Sequence, residues 1–241
     1  MTQRGGPVFE HEKIHINMAR LKKGGAVFEI VIDPDAAIRL KETGHGDVDD
    51  VVKAQKVFSD AHKGLLASEE RMREVFGTTA FEEVAKRILK EGEIQLTTEH
   101  REKVRAQKLR QLIAKIHRNA IDPKTGNPHP ERRIELAFEE AKIRVDEFTS
   151  VEQQLNDVVK RLQPILPLRF ETARLIVKVP SQYGGKLRGE ISRLATVTAD
   201  AWLEDGHWQA TVEVPAGMKP ELIDIINHFT HGGATITEQK H

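Results

Sequence analysis

The chain has 241 residues, with 37 basic and 37 acidic side chains and no cysteine, so its formal net charge is zero. That length allows one large or two to three small domains. The charge balance argues against indiscriminate coating of nucleic acid but leaves room for a local basic patch, and without cysteine there is no disulfide framework and no thiolate metal site.

Hydrophobic residues make up 39% and aromatics only 5%, which points to several small aliphatic cores. No apolar run approaches 18 residues and no signal-peptide pattern is present. A soluble cytoplasmic protein with no membrane partner is therefore expected.

Residues 1–7 read as a polar, Gly-rich arm. Ile14, Ile16 and Met18 alternate as a strand, Lys22-Lys23-Gly24-Gly25 turns the chain, and Phe28, Ile30 and Ile32 alternate again, which predicts a hairpin. Asp33 caps a helix that opens on Pro34. A short helix follows at Val48–Val52, then a strand at Lys56–Phe58. Ser68, and Thr79 with Glu82 as a capping box, start two more helices. Leu65, Leu66, Val75, Phe76, Phe81, Val84, Ile88 and Leu89 are expected in the core. Strand Glu93–Leu96 returns to the sheet and completes a small α/β domain over residues 1–97.

Several tempting patterns along the chain do not carry the chemistry they suggest. His11-Glu12-Lys13-Ile14-His15 fits the zinc-protease pattern H-E-x-x-H, which requires a helix to bring both imidazoles to one metal. Its neighbours alternate with period two, and on a strand residues four apart lie roughly 13 Å from each other. His228 and His231 have no evident third ligand. The glycine clusters at Gly24-Gly25, Gly44-His45-Gly46 and Gly184-Gly185-Lys186 match neither phosphate-binding loop, and no nucleophile-elbow arrangement appears. No metal, cofactor or catalytic residue is expected, and a zinc hydrolase is a remote alternative.

Thr97 and Thr98 offer caps for a helix whose apolar face is Ala106, Leu109, Leu112, Ile113, Ile116 and Ala120. Asp122-Pro123 is expected to end it. A second helix begins near Pro130 with the stripe Ile134, Ala137, Phe138, Ala141 and Val145. A third begins at Ser150, with Gln153 completing a capping box, and carries Val151, Leu155, Val158, Val159 and Leu162. Three such stripes predict a three-helix bundle over residues 98–165. Its first helix is loaded with Arg101, Lys103, Arg105, Lys108, Arg110, Lys115 and Arg118, and Arg132-Arg133 open the second. A solvated helix face is the bland reading. The excess over Glu99 and Glu102 instead suits phosphate contact, and the scarcity of aromatics favours folded RNA over single strands.

Residues 166–241 follow the stiff segment Pro164-Ile165-Leu166-Pro167. Core alternation is expected at Ala173, Leu175, Val177 and Val179, at Val197, Ala199, Ala201 and Leu203, and at Trp208, Ala210, Val212 and Val214. Helices carry Leu187, Ile191 and Leu194, then Leu222, Ile225, Ile226 and Phe229. Asp205-Gly206 makes a hairpin turn, and Ala234–Thr237 form the last strand. The order βαββαβ is the ferredoxin-like unit. The third strand lacks the aromatic run of an RNA-recognition motif. Trp202, out of phase with its strand, is expected on the open sheet face as a candidate protein contact.

The fold class is thus α+β and multidomain. Ile94–Arg101, Asp122-Pro123-Lys124-Thr125, Pro128-His129-Pro130 and Ile134-Glu135, with Ala19–Gly25, Phe28-Glu29-Ile30, Val57-Phe58 and Lys63-Gly64 upstream, together resemble the Shwachman–Bodian–Diamond syndrome (SBDS) family. The resemblance implies a non-enzymatic ribosome maturation factor. It would bind large ribosomal subunit RNA and, with an elongation-factor-like GTPase, promote release of the anti-association factor that blocks subunit joining. A monomer is expected. The family usually has Ser and Asn near the Lys63-Gly64 motif, where this chain has His62 and Asp60. The candidate RNA-binding residues are Lys22, Lys23, Lys63, Arg101, Lys103, Arg110, Lys115, Arg118, Arg132 and Arg133. An adaptor for an RNA-degrading complex is the alternative.

Overall fold

A computed structural model describes residues 16–239. They form two compact units: one holds residues up to Ala106 together with Asp146–Ser150, and the other holds Gln107–Val145 and everything from Val151 on. His11 and His15 lie outside the described residues.

The first unit is a five-stranded sheet backed by helices. Strands β1 (Met18–Lys23) and β2 (Ala26–Val31) form the expected hairpin. Its turn is narrower than the sequence suggested: Lys22 and Lys23 stay in β1, and Gly24 and Gly25 alone reverse the chain at φ 58° and 74°. Two consecutive positive φ angles match the right-handed twist of the flanking strands. Asp33 caps α1 (Pro34–Thr43) by accepting from Ala36 N at 3.0 Å. After α2 (Val48–Val51) come β3 (Phe58–Asp60) and β4 (Leu65–Leu66). Ser68 caps α3 (Glu69–Phe76). The Thr79 capping box does not form: α4 (Phe81–Glu91) starts after Ala80 with no side-chain cap, and Thr78 Oγ1 instead accepts from Ala80 N at 3.1 Å. β5 (Glu93–Gln95) returns beside β1, giving the strand order β4-β3-β2-β1-β5.

Ala19, Phe28, Ile30, Val84, Ile88 and Ile94 are buried together in this core, with Phe28 edge-on to Phe76 at 4.7 Å. Leu65 and Leu66, expected inside, are 53% and 59% exposed. They ride on the outermost strand, two residues long, with a neighbouring strand on one side only.

Helix α5 (Thr98–Asn119) is capped by Thr97, whose Oγ1 accepts from His100 N at 3.3 Å. It serves two cores. Val104 belongs to the first, while Leu112, Ile113 and Ile116 belong to the second, which also holds Ile134, Phe138, Val158 and Leu162. That change of core leaves Ala106 exposed and buries Lys108, against expectation. The helix also ends before Asp122-Pro123: Ala120–Ile121 form β6, which pairs with β7 (Arg169–Phe170). Helices α6 (Glu131–Glu140) and α7 (Val151–Leu162) complete the three-helix core. Pro164–Pro167 is more than a spacer, because Leu166 is buried in that core.

Within the second unit a four-stranded antiparallel sheet runs β11-β8-β10-β9. Its strands are β8 (Thr172–Val179), β9 (Thr196–Trp202), β10 (Trp208–Pro215) and β11 (Thr235–Gln239), with α8 (Ser181–Leu194) and α9 (Lys219–Thr230) between them. This is the ferredoxin-like order. Leu175, Val177, Leu187, Ile191, Val212, Leu222 and Ile226 share its core.

The alternation expected in β9 fails for a definite reason. Val197 sits opposite Val212 but Ala199 opposite Thr211, so Thr198 is an extra residue, a β-bulge. One inserted residue flips every later side chain to the other face. Ala199 and Ala201 are therefore exposed, and Trp202, paired with the buried Trp208, shares the helix-covered face and not the open one. Gly184 in α8 makes room for the two tryptophans. A Cβ there would lie 2.6 Å from Trp208 Cβ and 2.8 Å from the Cη2 of Trp202.

Candidate nucleic-acid interface

Two candidate residues, Lys22 and Lys63, meet on the face of the first sheet opposite α4. The Gly24-Gly25 turn sets Lys23 opposite Ala26, Lys22 opposite Val27 and Arg20 opposite Glu29. Strand alternation then sends Arg20 and Lys22 to one face and Lys23 to the other. Lys23 reaches α4 and pairs with Glu91 at 2.7 Å, which holds that carboxyl below its ordinary range.

Arg20, Lys22, His62 and Lys63 line a groove of about 360 Å³, with Val27, Glu29, Ser59 and Asp60. Glu29 is its keystone, at 2% exposed on a central strand. One of its oxygens accepts from Arg20 Nε at 2.6 Å and the other from Ala61 N at 2.6 Å. The first bond aims the guanidinium. The second anchors the loop that carries Lys63. Asp60 closes that loop by accepting from Lys63 N at 3.1 Å, and Gly64 leaves it at φ 69°. The Asp60 carboxylate also meets Lys63 Nζ at 3.1 Å, and this contact lowers the Asp60 pKa. So Asp60 shapes the loop and neutralises its lysine until something displaces it. Both partners are solvated enough for exchange to cost little.

Other candidates divide by their partners. Arg101 and Arg105 flank the buried Glu147, at 3.0 and 2.8 Å. Lys115 pairs with Glu152 at 2.6 Å and Arg132 with Glu135. Lys22, Lys103, Arg110, Arg118 and Arg133 are exposed and form no ion pair among the described residues. Lys63 and Lys22 are thus brought to one groove, Lys23 is drawn away from it, and the cations of α5 and α6 are not part of it.

Two residues escaped the sequence reading. Glu29 stands opposite Arg20 only because the turn is the two-residue Gly24-Gly25; the four-residue turn expected over Lys22–Gly25 sets another register. His129, between Pro128 and Pro130, is 2% exposed. Its Nε2–H donates to Pro167 O at 2.7 Å, and its own carbonyl lies 2.7 Å from His117 Nδ1. No short-range pattern reveals a partner 38 residues away. Among the described residues no group of three His, Asp or Glu is placed to hold a metal, and no helix is long and apolar enough to cross a membrane.

Family models for the SBDS N-terminal domain, SBDS domain II and the SBDS C-terminal domain match residues 15–102, 110–171 and 173–238 in that order. The chain belongs to the SBDS family. Similar SBDS-family proteins include the ribosome maturation protein SDO1 homolog of Methanothermobacter thermautotrophicus, 42% identical over 89% of this chain and 93% of that protein. The SDO1 homolog of Aeropyrum pernix is 39% identical over 92% of this chain and 96% of its own length. The ribosome maturation protein SBDS of Xenopus tropicalis is 26% identical over 92% and 88%. Membership makes this chain one of a family of ribosome maturation factors.

Proposed function

We propose that this chain binds the large ribosomal subunit through RNA and, with an elongation-factor-like GTPase, promotes release of the anti-association factor. The observation that carries the RNA part is the groove in which Glu29 aims Arg20 and anchors the Lys63 loop beside Lys22. Cations held on a rigid sheet, without aromatic platforms, suit phosphate and shape recognition of folded RNA. The exposed Lys103, Arg110, Arg118 and Arg133 extend phosphate contact to the helical part. No step requires chemistry by the protein. Two modules anchor on RNA, and the ferredoxin-like module recruits the GTPase.

Co-sedimentation with purified large subunits, followed by an RNA footprint, tests this reading. The protein should pellet with large subunits and protect a defined RNA region. Retention on an RNA-degrading complex, with no binding to large subunits, overturns it in favour of the adaptor reading.

A further inference from the structure

The second unit carries a groove of opposite character. It has a volume of about 680 Å³ and lies among His117, Pro128, the turn at Gly217 and helices α8 and α9. That volume is typical of ligand and peptide clefts. Pro128, Pro220, Ile225 and Phe229 supply its apolar surface, and Glu190, Glu221 and Asp224 supply carboxylates. Glu190 is engaged by Arg193 at 2.9 Å. Glu221 and Asp224 are exposed, three residues apart on α9, and form no ion pair among the described residues. One wall is fixed by a close backbone approach: a Cβ at Gly217 would lie 2.1 Å from the His117 carbonyl oxygen. The groove therefore exists before any ligand arrives.

We infer that this groove docks a segment of a protein partner in which Lys or Arg flanks a bulky apolar side chain. The argument is charge complementarity over an apolar floor. RNA phosphates would meet two unneutralised carboxylates. A neutral apolar ligand would strip water from those carboxylates and return no hydrogen bond. A cationic, apolar peptide fills the floor with its side chain and pairs its charges with Glu221 and Asp224, and that charge pattern also selects against acidic competitors. This inference does not rest on RNA binding by the first unit, and its test needs no ribosome.

The test pans a displayed library of random heptapeptides on the full-length protein. Enriched sequences should carry Lys or Arg beside an aromatic or large aliphatic residue. The best of them, synthesised with a fluorophore, should bind in anisotropy titrations. It should lose at least tenfold in affinity to the Glu221→Lys/Asp224→Lys variant, with circular dichroism confirming that the variant folds. Ile225→Ala should weaken it several-fold at unchanged salt dependence. Enrichment of neutral or acidic peptides, no enrichment at all, or equal affinity for the double variant overturns the inference. Competition of the peptide by structured RNA that is itself lost in the double variant also overturns it, since the face would then be an RNA contact.

Discussion

Lys63 stands 73% exposed, and among the described residues its ammonium pairs with its neighbour Asp60 alone. Lys63→Ala should weaken large-subunit binding while changing stability by no more than about 0.5 kcal/mol, as surface substitutions usually do. Binding by sedimentation and stability by urea unfolding read the two effects separately, and a large loss of stability would make the residue structural. Glu29 should behave in the opposite way. Glu29→Gln keeps the side-chain shape but removes the charge that faces Arg20 and weakens the acceptor for Ala61 N. It should cost about 1–3 kcal/mol, the range for a buried hydrogen-bonding group deprived of its partner. It should also lower RNA affinity, because the Lys63 loop loses its anchor. A normal urea midpoint in this variant would show that the buried pair contributes nothing. At this scale the sequence was partly legible. Gly24-Gly25 between alternating runs announces the hairpin, but the four-residue turn expected over Lys22–Gly25 shifts the register, so Arg20 opposite Glu29 was not legible. Nor was the bond from Glu29 to Ala61, because it depends on where β3 docks.

Helix α5 is the element where pattern and structure diverge most. A single apolar stripe was visible, but the helix changes cores along its length, so Ala106 is exposed and Lys108 buried. Its exposed cations still allow a quantitative test. Replacing Lys103, Arg110, Lys115 and Arg118 with Gln hardly alters helix propensity. The variant should fold normally and show a salt dependence of RNA affinity flatter by about 2–4 units in log–log slope, at about −0.9 per duplex-like contact or −0.7 per single-strand contact. Lys115 should contribute least, being paired with Glu152. An unchanged slope would assign this helix to solvent or protein.

The β9–β10 hairpin shows what alternation misses. Nothing in Thr196–Trp202 announces the bulge at Thr198, because a bulge is two residues facing one on the partner strand and so is defined only by the pairing. The turn itself was legible from Asp205-Gly206. Asp205 meets Lys178 Nζ at 2.6 Å and accepts from His207 N at 3.0 Å, which lowers its pKa from 3.8 to about 2. A carboxyl with a depressed folded-state pKa adds stability above its unfolded value and loses it as pH falls through the folded one. The melting-temperature gap between the wild type and Asp205→Asn should therefore be full at pH 5 and close between about pH 4 and pH 2. A gap undiminished at pH 2 would mean the pair is not what separates them.

At the scale of the molecule, composition foretold several aliphatic cores, and three form. A formal charge of zero conceals local imbalance. Arg20, Lys22 and Lys63 outnumber Glu29 and Asp60 in the groove of the first unit, and among the described residues Glu221 and Asp224 on α9 form no ion pair. Net charge averages over such differences, and only the fold reveals them.

Residues Asp146–Ser150 pack with the first unit although some forty residues of the second unit's chain precede them. Glu147 from this segment sits between Arg101 and Arg105, and Phe148 packs on the first core. This has a consequence for biosynthesis. The first unit cannot finish folding when Ala106 leaves the ribosome. Two arginines and part of a core wait for a segment still to be made, a delay of about 2–9 s at roughly 5–20 residues per second. The nascent domain stays incomplete over that interval, with its arginines free for whatever polyanion lies nearest.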